Sequence, residues 1–185
     1  MKFEDYLKLC QDIHDGIYQN APYDEADYFN YAKMNHVRTQ RWLKRGEILD
    51  ELKEEVHSLK EAQTWILITE PWCGDAAHSV PFIYKIAELN PLINLEIELR
   101  DSEPFRIEQY LTNGGKSIPK MVIKNENQED IWVWGPRPEA AQQLFAKLKE
   151  ENVEFDEIKE TLQKWYNDDK GVELQKEFLS FFKSL

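Results

Sequence analysis

The chain has 185 residues and a formal net charge of −12. That length accommodates one domain with a substantial core, and the aromatic-rich composition is not that of a disordered chain. The acidity argues against general binding to nucleic acid or anionic membranes, whose phosphates would be repelled. It leaves open a merely soluble, self-repelling surface or a specifically basic partner.

No run approaches the roughly 20 apolar residues needed to cross a bilayer. The opening MKFEDYLKLCQDIHD carries acids among its hydrophobics and has no apolar stretch of signal-peptide length. The expected location is therefore the reducing cytoplasm. Cys10 and Cys73, the two cysteines, are expected there as free thiols.

Phe3, Tyr6, Leu7, Cys10, Ile13 and Ile17 recur at helical spacing and predict an amphipathic first helix. Cys10, within that stripe, reads as a small buried hydrophobe. Asn20, Pro22 and Asp24 mark a turn. A second helix is predicted from about Asp27 to Lys44, interrupted by Gly46, and Leu49, Leu52, Val56 and Leu59 resume the helical stripe. The period then changes. Thr64–Thr69 is a nearly continuous β-favouring run, as in a strand covered on both faces.

Val80, Ile83, Ile86, Ala87 and Leu89 predict a helix that stops before Asn90-Pro91. Leu95, Ile97 and Leu99 alternate with polar residues in a second strand ending at Arg100-Asp101. A short helix at Phe105–Leu111 leads to the turn Asn113-Gly114-Gly115. Met121–Ile123 and Ile131–Trp134 bracket a polar link and predict an antiparallel hairpin. Pro136 and Pro138 open a helix bearing Ala141, Leu144, Phe145 and Leu148. Phe155, Ile158, Leu162 and Trp165 mark another, and Phe178, Leu179 and Phe182 mark a last one after the break at Asp168–Gly171.

From Thr64 onward the order is β-α-β-α-β-β-α, which predicts an α/β fold with a mixed sheet and helices on both faces. A helical crossover makes its first two strands parallel. The expected organisation is one domain over residues 1–185. It comprises a helical N-terminal extension at 1–59, a core at 60–150 and C-terminal helices at 151–185.

In that order, particular residues resemble the thioredoxin fold. Trp72-Cys73-Gly74 follows the first core strand, and Pro81 falls eight residues after Cys73, as in the kinked active-site helix of thioredoxins. Ile118-Pro119 precedes the third strand, where the family keeps a cis-proline, and Gly135 matches the glycine after the last strand. The runs WCGDAA, GGKSIPK and WGPRP are similar to a bacterial thioredoxin-like subgroup with helical extensions. The resemblance implies Cys73 as nucleophile in redox homeostasis. Trp72, Gly74, Asp75, Arg100, Ile118, Pro119, Trp134, Gly135 and Arg137 would surround its substrate.

Physical chemistry gives the turn its own logic. A thiol attacks as thiolate, and a helix N-terminus favours negative charge, so Cys73 is expected to ionise more readily than usual. Gly74 leaves room for a substrate backbone. Asp75 either caps the helix or opposes the thiolate. Ala76, where thioredoxins carry a second cysteine, rules out a two-cysteine cycle within the turn, so release of a mixed disulfide falls to an external thiol. Cys10 would replace it only if the first helix packed over the site.

Leu67 stands where thioredoxins keep a buried aspartate for proton transfer. Glu70 is either a substitute for it or a solvated strand end. His78, five residues past Cys73, is about 140° around the helix and points elsewhere. With His14, His36 and His57 scattered, no metal-ligand spacing emerges, and no cofactor is expected.

Parallel strands put Arg100 on the same sheet edge as Cys73, and the hairpin returns Trp134 and Arg137 there. The two arginines would bind a carboxylate, or pair internally, Arg137 with Asp101 or Asp75. Ile118 would offer backbone groups to an extended peptide or to the peptide-like part of a small thiol. The leading expectation is monothiol thiol–disulfide exchange on a protein disulfide or a low-molecular-weight thiol. The alternatives are a non-catalytic thioredoxin-fold binding protein and a redox sensor.

Overall fold

A computed structural model describes residues 1–185. Helix α1 (Phe3–His14) buries Phe3, Tyr6, Cys10 and Ile13 along one stripe. It stops three residues short of Ile17, which is exposed, because Gly16 takes a left-handed φ of 73° that breaks the helix. Helix α2 (Ala26–Arg45) and helix α3 (Asp50–Ser58) follow. Strand β1 (Gln63–Thr69) then enters the core, and all but one of its side chains are buried.

Helix α4 (Gly74–Ala87) contains Pro81, and strand β2 (Ile93–Leu99) runs parallel to β1. The segment expected as a helix at Phe105–Leu111 is a single 3₁₀ turn at Arg106–Gln109. A run that short, entered through a left-handed Phe105, never closes an α-helical ring. Strands β3 (Lys120–Lys124) and β4 (Asp130–Trp134) form the hairpin. Helices α5 (Glu139–Glu150), α6 (Phe155–Asp169) and α7 (Val172–Phe182) complete the chain.

The sheet has four strands in the order β2-β1-β3-β4, with β3 antiparallel to both β1 and β4. It is a mixed sheet flanked by helices. Register places Trp65, Ile123 and Trp132 side by side on one face. Trp65 meets Phe178 and Phe182 there, and Trp132 stacks on Phe181, so α7 covers that face with aromatic rings. Met1 exchanges backbone hydrogen bonds with Ile97 and shields the free edge of β2.

Two contacts outside the sheet shape the surroundings of the Trp72–Ala76 turn. Helix α4 packs along α2, and α5 and α6 share a small apolar cluster built on Ala141, Ile158 and Leu162. Residues of α2 and α6 thereby stand around the C-terminal edge of β1.

Candidate functional site

At that edge β1 ends at Thr69, and Glu70-Pro71-Trp72 turns the chain into α4. The Cys73 amide donates to the Glu70 carbonyl at 3.0 Å, and Cys73 becomes the extended N-cap of α4. Its Sγ donates to the carbonyl of Ile118 at 3.3 Å, and the Ile118–Pro119 peptide bond is cis. The Ile118 amide has no hydrogen-bond partner within the protein. Neither cysteine is in a disulfide.

Cys73 is 7% exposed. Burial, seconded by the charge of Asp75, pushes its thiol up to about 12, against the pull of the Ala76 and Asp75 amides and of Arg137. The expectation of an easily ionised thiol is therefore corrected. The helix N-terminus acts as anticipated, but desolvation and a neighbouring carboxylate outweigh it. The resting group is a neutral thiol.

Asp75 is held from two sides. Its Oδ2 lies 2.7 Å from Arg137 Nη2, and its Oδ1 accepts from the Tyr166 hydroxyl at 2.8 Å. Arg137 also donates to Gln142 Oε1 and lays its guanidinium over the Phe145 ring, 4.2 Å from the centroid. Arg100 grips Asp101 with two hydrogen bonds, of 2.8 and 2.6 Å, and covers the Trp72 ring at 4.6 Å. Both arginines expected to receive an anionic substrate already have carboxylate partners.

The site residues separate into two groups. Trp72, Cys73, Gly74, Asp75, Arg100, Ile118 and Arg137 line one cleft of about 1030 Å³. Pro119, Trp134 and Gly135 do not, which corrects the expectation that they surround the same mouth. Trp134 turns to Glu177 and packs on Phe178, because its place in the β4 register faces α7. Gly135, at φ 106°, lies directly behind Pro119; a Cβ there would stand 2.2 Å from the Pro119 carbonyl oxygen.

Glu70 is not a solvated strand end. It is 5% exposed, with the Tyr23 hydroxyl at 3.5 Å and the Asp101 amide donating at 3.2 Å. Burial pushes it up to about 6. Cys10 packs in the same region, and burial pushes its thiol up to about 12. His78 accepts from Trp42 Nε1 at Nδ1, donates from Nε2 to Gln163 Oε1, and stacks flat on Tyr166 at 4.6 Å. That bonding fixes its neutral tautomer and ties α4 to α2 and α6. No group of three or more His, Cys, Asp and Glu side chains is arranged to hold a metal ion.

The sequence did not reveal the cleft walls. Tyr28, Tyr31, Met34 and Arg38 of α2 form one, and Phe155, Ile158, Lys159, Leu162, Gln163 and Tyr166 of α6 form the other. Lys159 reaches across and donates to the Tyr31 hydroxyl. A signal for the first wall existed. Tyr28, Tyr31 and Met34 recur every three residues along one flank of the stripe that buries Ala32, Thr39 and Trp42.

A family model described as thioredoxin matches residues 21–151, well over half of the chain. The chain belongs to the thioredoxin family. Its architecture is similar to that of two solved structures. One is PA1234 from Pseudomonas aeruginosa, a protein of unknown function, at 17% identity with a TM-score of 0.58 over 86% of both chains. The other is an HIV 4E10 epitope-scaffold, at 15% identity with a TM-score of 0.56 over 100% of this chain and 99% of that one. At such identities the likeness speaks for the fold alone. No curated protein matches the chain.

Proposed function

We propose that this thioredoxin-family protein carries out monothiol thiol–disulfide exchange, with Cys73 forming a mixed disulfide inside the cleft. The observation that carries the reading is the sulfur's position. It sits at the N-terminus of α4 and on the cleft lining, 3.3 Å from the carbonyl of Ile118, whose amide is free to pair with a substrate backbone. The lone cysteine of the Trp72–Ala76 turn further supports placing the chain in a bacterial monothiol subgroup that works in the cytoplasm.

The chemistry balances with one external thiol. Cys73 loses its proton to water, and its sulfur attacks one sulfur of the substrate disulfide. A Cys73–substrate disulfide forms, and the other half departs as a thiolate that takes up a proton. An external thiol then attacks the substrate's sulfur, which releases reduced Cys73 and forms a new disulfide. Because the resting thiol is pushed to about 12, the free protein holds about a thousandfold less thiolate near pH 7 than an ordinary thiol would. Exchange is therefore slow until a substrate is bound beside the sulfur.

The same burial favours a second reading, a binding protein whose cleft is the functional part and whose Cys73 does no chemistry. Intact-mass kinetics at pH 8 separate the two. With hydroxyethyl disulfide, exchange predicts an adduct on Cys73, absent in Cys73→Ser and removed by added thiol. If the folded protein gives no adduct while the urea-unfolded chain does, the exchange reading fails and the binding reading stands.

A further inference from the structure

Five cationic side chains line the cleft: Arg38, Arg100, Lys116, Arg137 and Lys159. Four have a carboxylate within ion-pair distance. Arg100 pairs with Asp101, Lys116 with Glu108, Arg137 with Asp75 and Lys159 with Asp156. Arg38 has none. Its contacts are the Asn35 side-chain oxygen, accepting from Nη1 at 3.0 Å, and Met34 Sδ, 3.9 Å from Nη2. The rest of its five-donor fork has no protein partner.

A half-buried guanidinium with no counter-ion is unusual in a chain carrying a net charge of −12. Burial and the nearby Arg41 push Arg38 below the usual arginine range, so the cation is held at some free-energy cost. Its position is also fixed. Asn35 is buried and donates from Nδ2 to the Pro71 carbonyl at 3.1 Å, two residues before Cys73. The chain Arg38–Asn35–Pro71 thus ties the unpaired cation to the turn that carries the thiol.

We infer that the cleft binds a low-molecular-weight anionic thiol, entering as its disulfide, with Arg38 as the anchor for the anionic group and Cys73 as the sulfur it reaches. A small ligand fits better than a folded partner. The thiol lies at the foot of walls formed by α2 and α6, and the cleft volume is at the upper end of small-molecule sites, which run to about 1,000 Å³. Tyr28, Tyr31 and Trp72 add aromatic surface to the same lining. The sulfur step rests on the exchange reading, whereas the anion site does not.

The test uses three disulfides of one size class and different charge: dithiodiglycolate, hydroxyethyl disulfide and cystamine. Against the repulsion of an acidic protein, dithiodiglycolate should modify Cys73 about tenfold faster than the neutral disulfide, with cystamine slowest. Arg38→Gln should bring the dithiodiglycolate-to-neutral ratio to one or below, and Arg38→Lys should restore part of it. Circular dichroism of both variants reports their folding. S-methylglutathione, which cannot exchange, is titrated by calorimetry into Cys73→Ser protein with and without Arg38→Gln.

Arg38-dependent binding of S-methylglutathione without any Cys73 adduct would overturn the exchange reading and keep the anion site. Equal rates for all three disulfides, or a ratio unmoved by Arg38→Gln, would overturn the anion site. So would binding confined to a long acidic peptide.

Discussion

Asp75 and Arg137 form a largely buried ion pair of 2.7 Å beside the Cys73 thiol, so an interaction that fixes α5 to the turn also sets the charge felt by the sulfur. The carboxylate raises the thiol and the guanidinium lowers it, and the carboxylate is the stronger of the two. Asp75→Asn removes the stronger influence, leaves Arg137 cationic, and keeps an acceptor for the Tyr166 hydroxyl. Cys73 alkylation by iodoacetamide should then accelerate by about tenfold or more at pH 8. In the parent protein the rate should climb steadily from pH 7 to 10 with no plateau near neutrality. An unchanged rate in Asp75→Asn would show that burial alone holds the thiol neutral.

Arg137→Met should act mainly on stability. It strands Asp75 as an uncompensated buried carboxylate, at a cost of about 3–5 kcal/mol near neutral pH. The loss should shrink on acidification, because an unpaired Asp75 can protonate. The double variant Asp75→Asn/Arg137→Met should recover most of the loss, since neither charge is then left alone. Urea unfolding at pH 7.5 and pH 5 measures all three effects.

How much of this is legible in the sequence depends on whether a feature is local. The Trp72-Cys73-Gly74 turn, the parallel β1–β2 pair and the β3–β4 hairpin follow from periodicity and turn residues within short windows. The cleft does not. Its walls come from α2 and α6, which are remote in sequence, and long-range contacts such as Tyr166 with His78 and Asp75, and Gln163 with His78, bring α6 over the turn. The differences between sequence and structure at the site share one cause. Topology puts Arg100 and Arg137 at the sheet edge, but whether an arginine there is free depends on Asp101 and Asp75 side-chain geometry. Periodicity puts Cys73 at a helix start, but its ionisation turns on burial, which a helix start does not specify.

Gly135 and Gly74 should respond oppositely to alanine. At Gly135 the backbone has φ 106°, and a Cβ would lie 2.2 Å from the Pro119 carbonyl oxygen. Gly135→Ala therefore combines left-handed strain with a backbone clash and should destabilise by roughly 3 kcal/mol or more. At Gly74, in the first turn of α4, a Cβ meets nothing within 4 Å. Gly74→Ala should be neutral or stabilise by up to about 1 kcal/mol. Chemical denaturation distinguishes them, and a stable Gly135→Ala would mean that the loop behind Pro119 yields readily.

His78 gives the fold an acid sensitivity of defined sign. Burial depresses its pKa from 6.5 to about 4 in the folded protein, where Trp42 and Gln163 satisfy the neutral ring. A base whose folded pKa lies below its unfolded value adds stability above about pH 6.5 and loses it as pH falls toward 4. The shift corresponds to a loss of roughly 3 kcal/mol across that window. Glu70, raised to about 6, works in the opposite direction, because its contribution is present below pH 4.5 and lost as pH rises to 6. The net pH profile therefore does not report His78 by itself. The measurement that isolates it is the difference between parent and His78→Gln in unfolding free energy from pH 7 to pH 4.5. That difference should narrow on acidification, and the His78 ring proton resonance of the parent should stay unshifted down to about pH 5. A ring that titrates near 6.5 in the folded protein would show that the Trp42–His78–Gln163 chain opens to water.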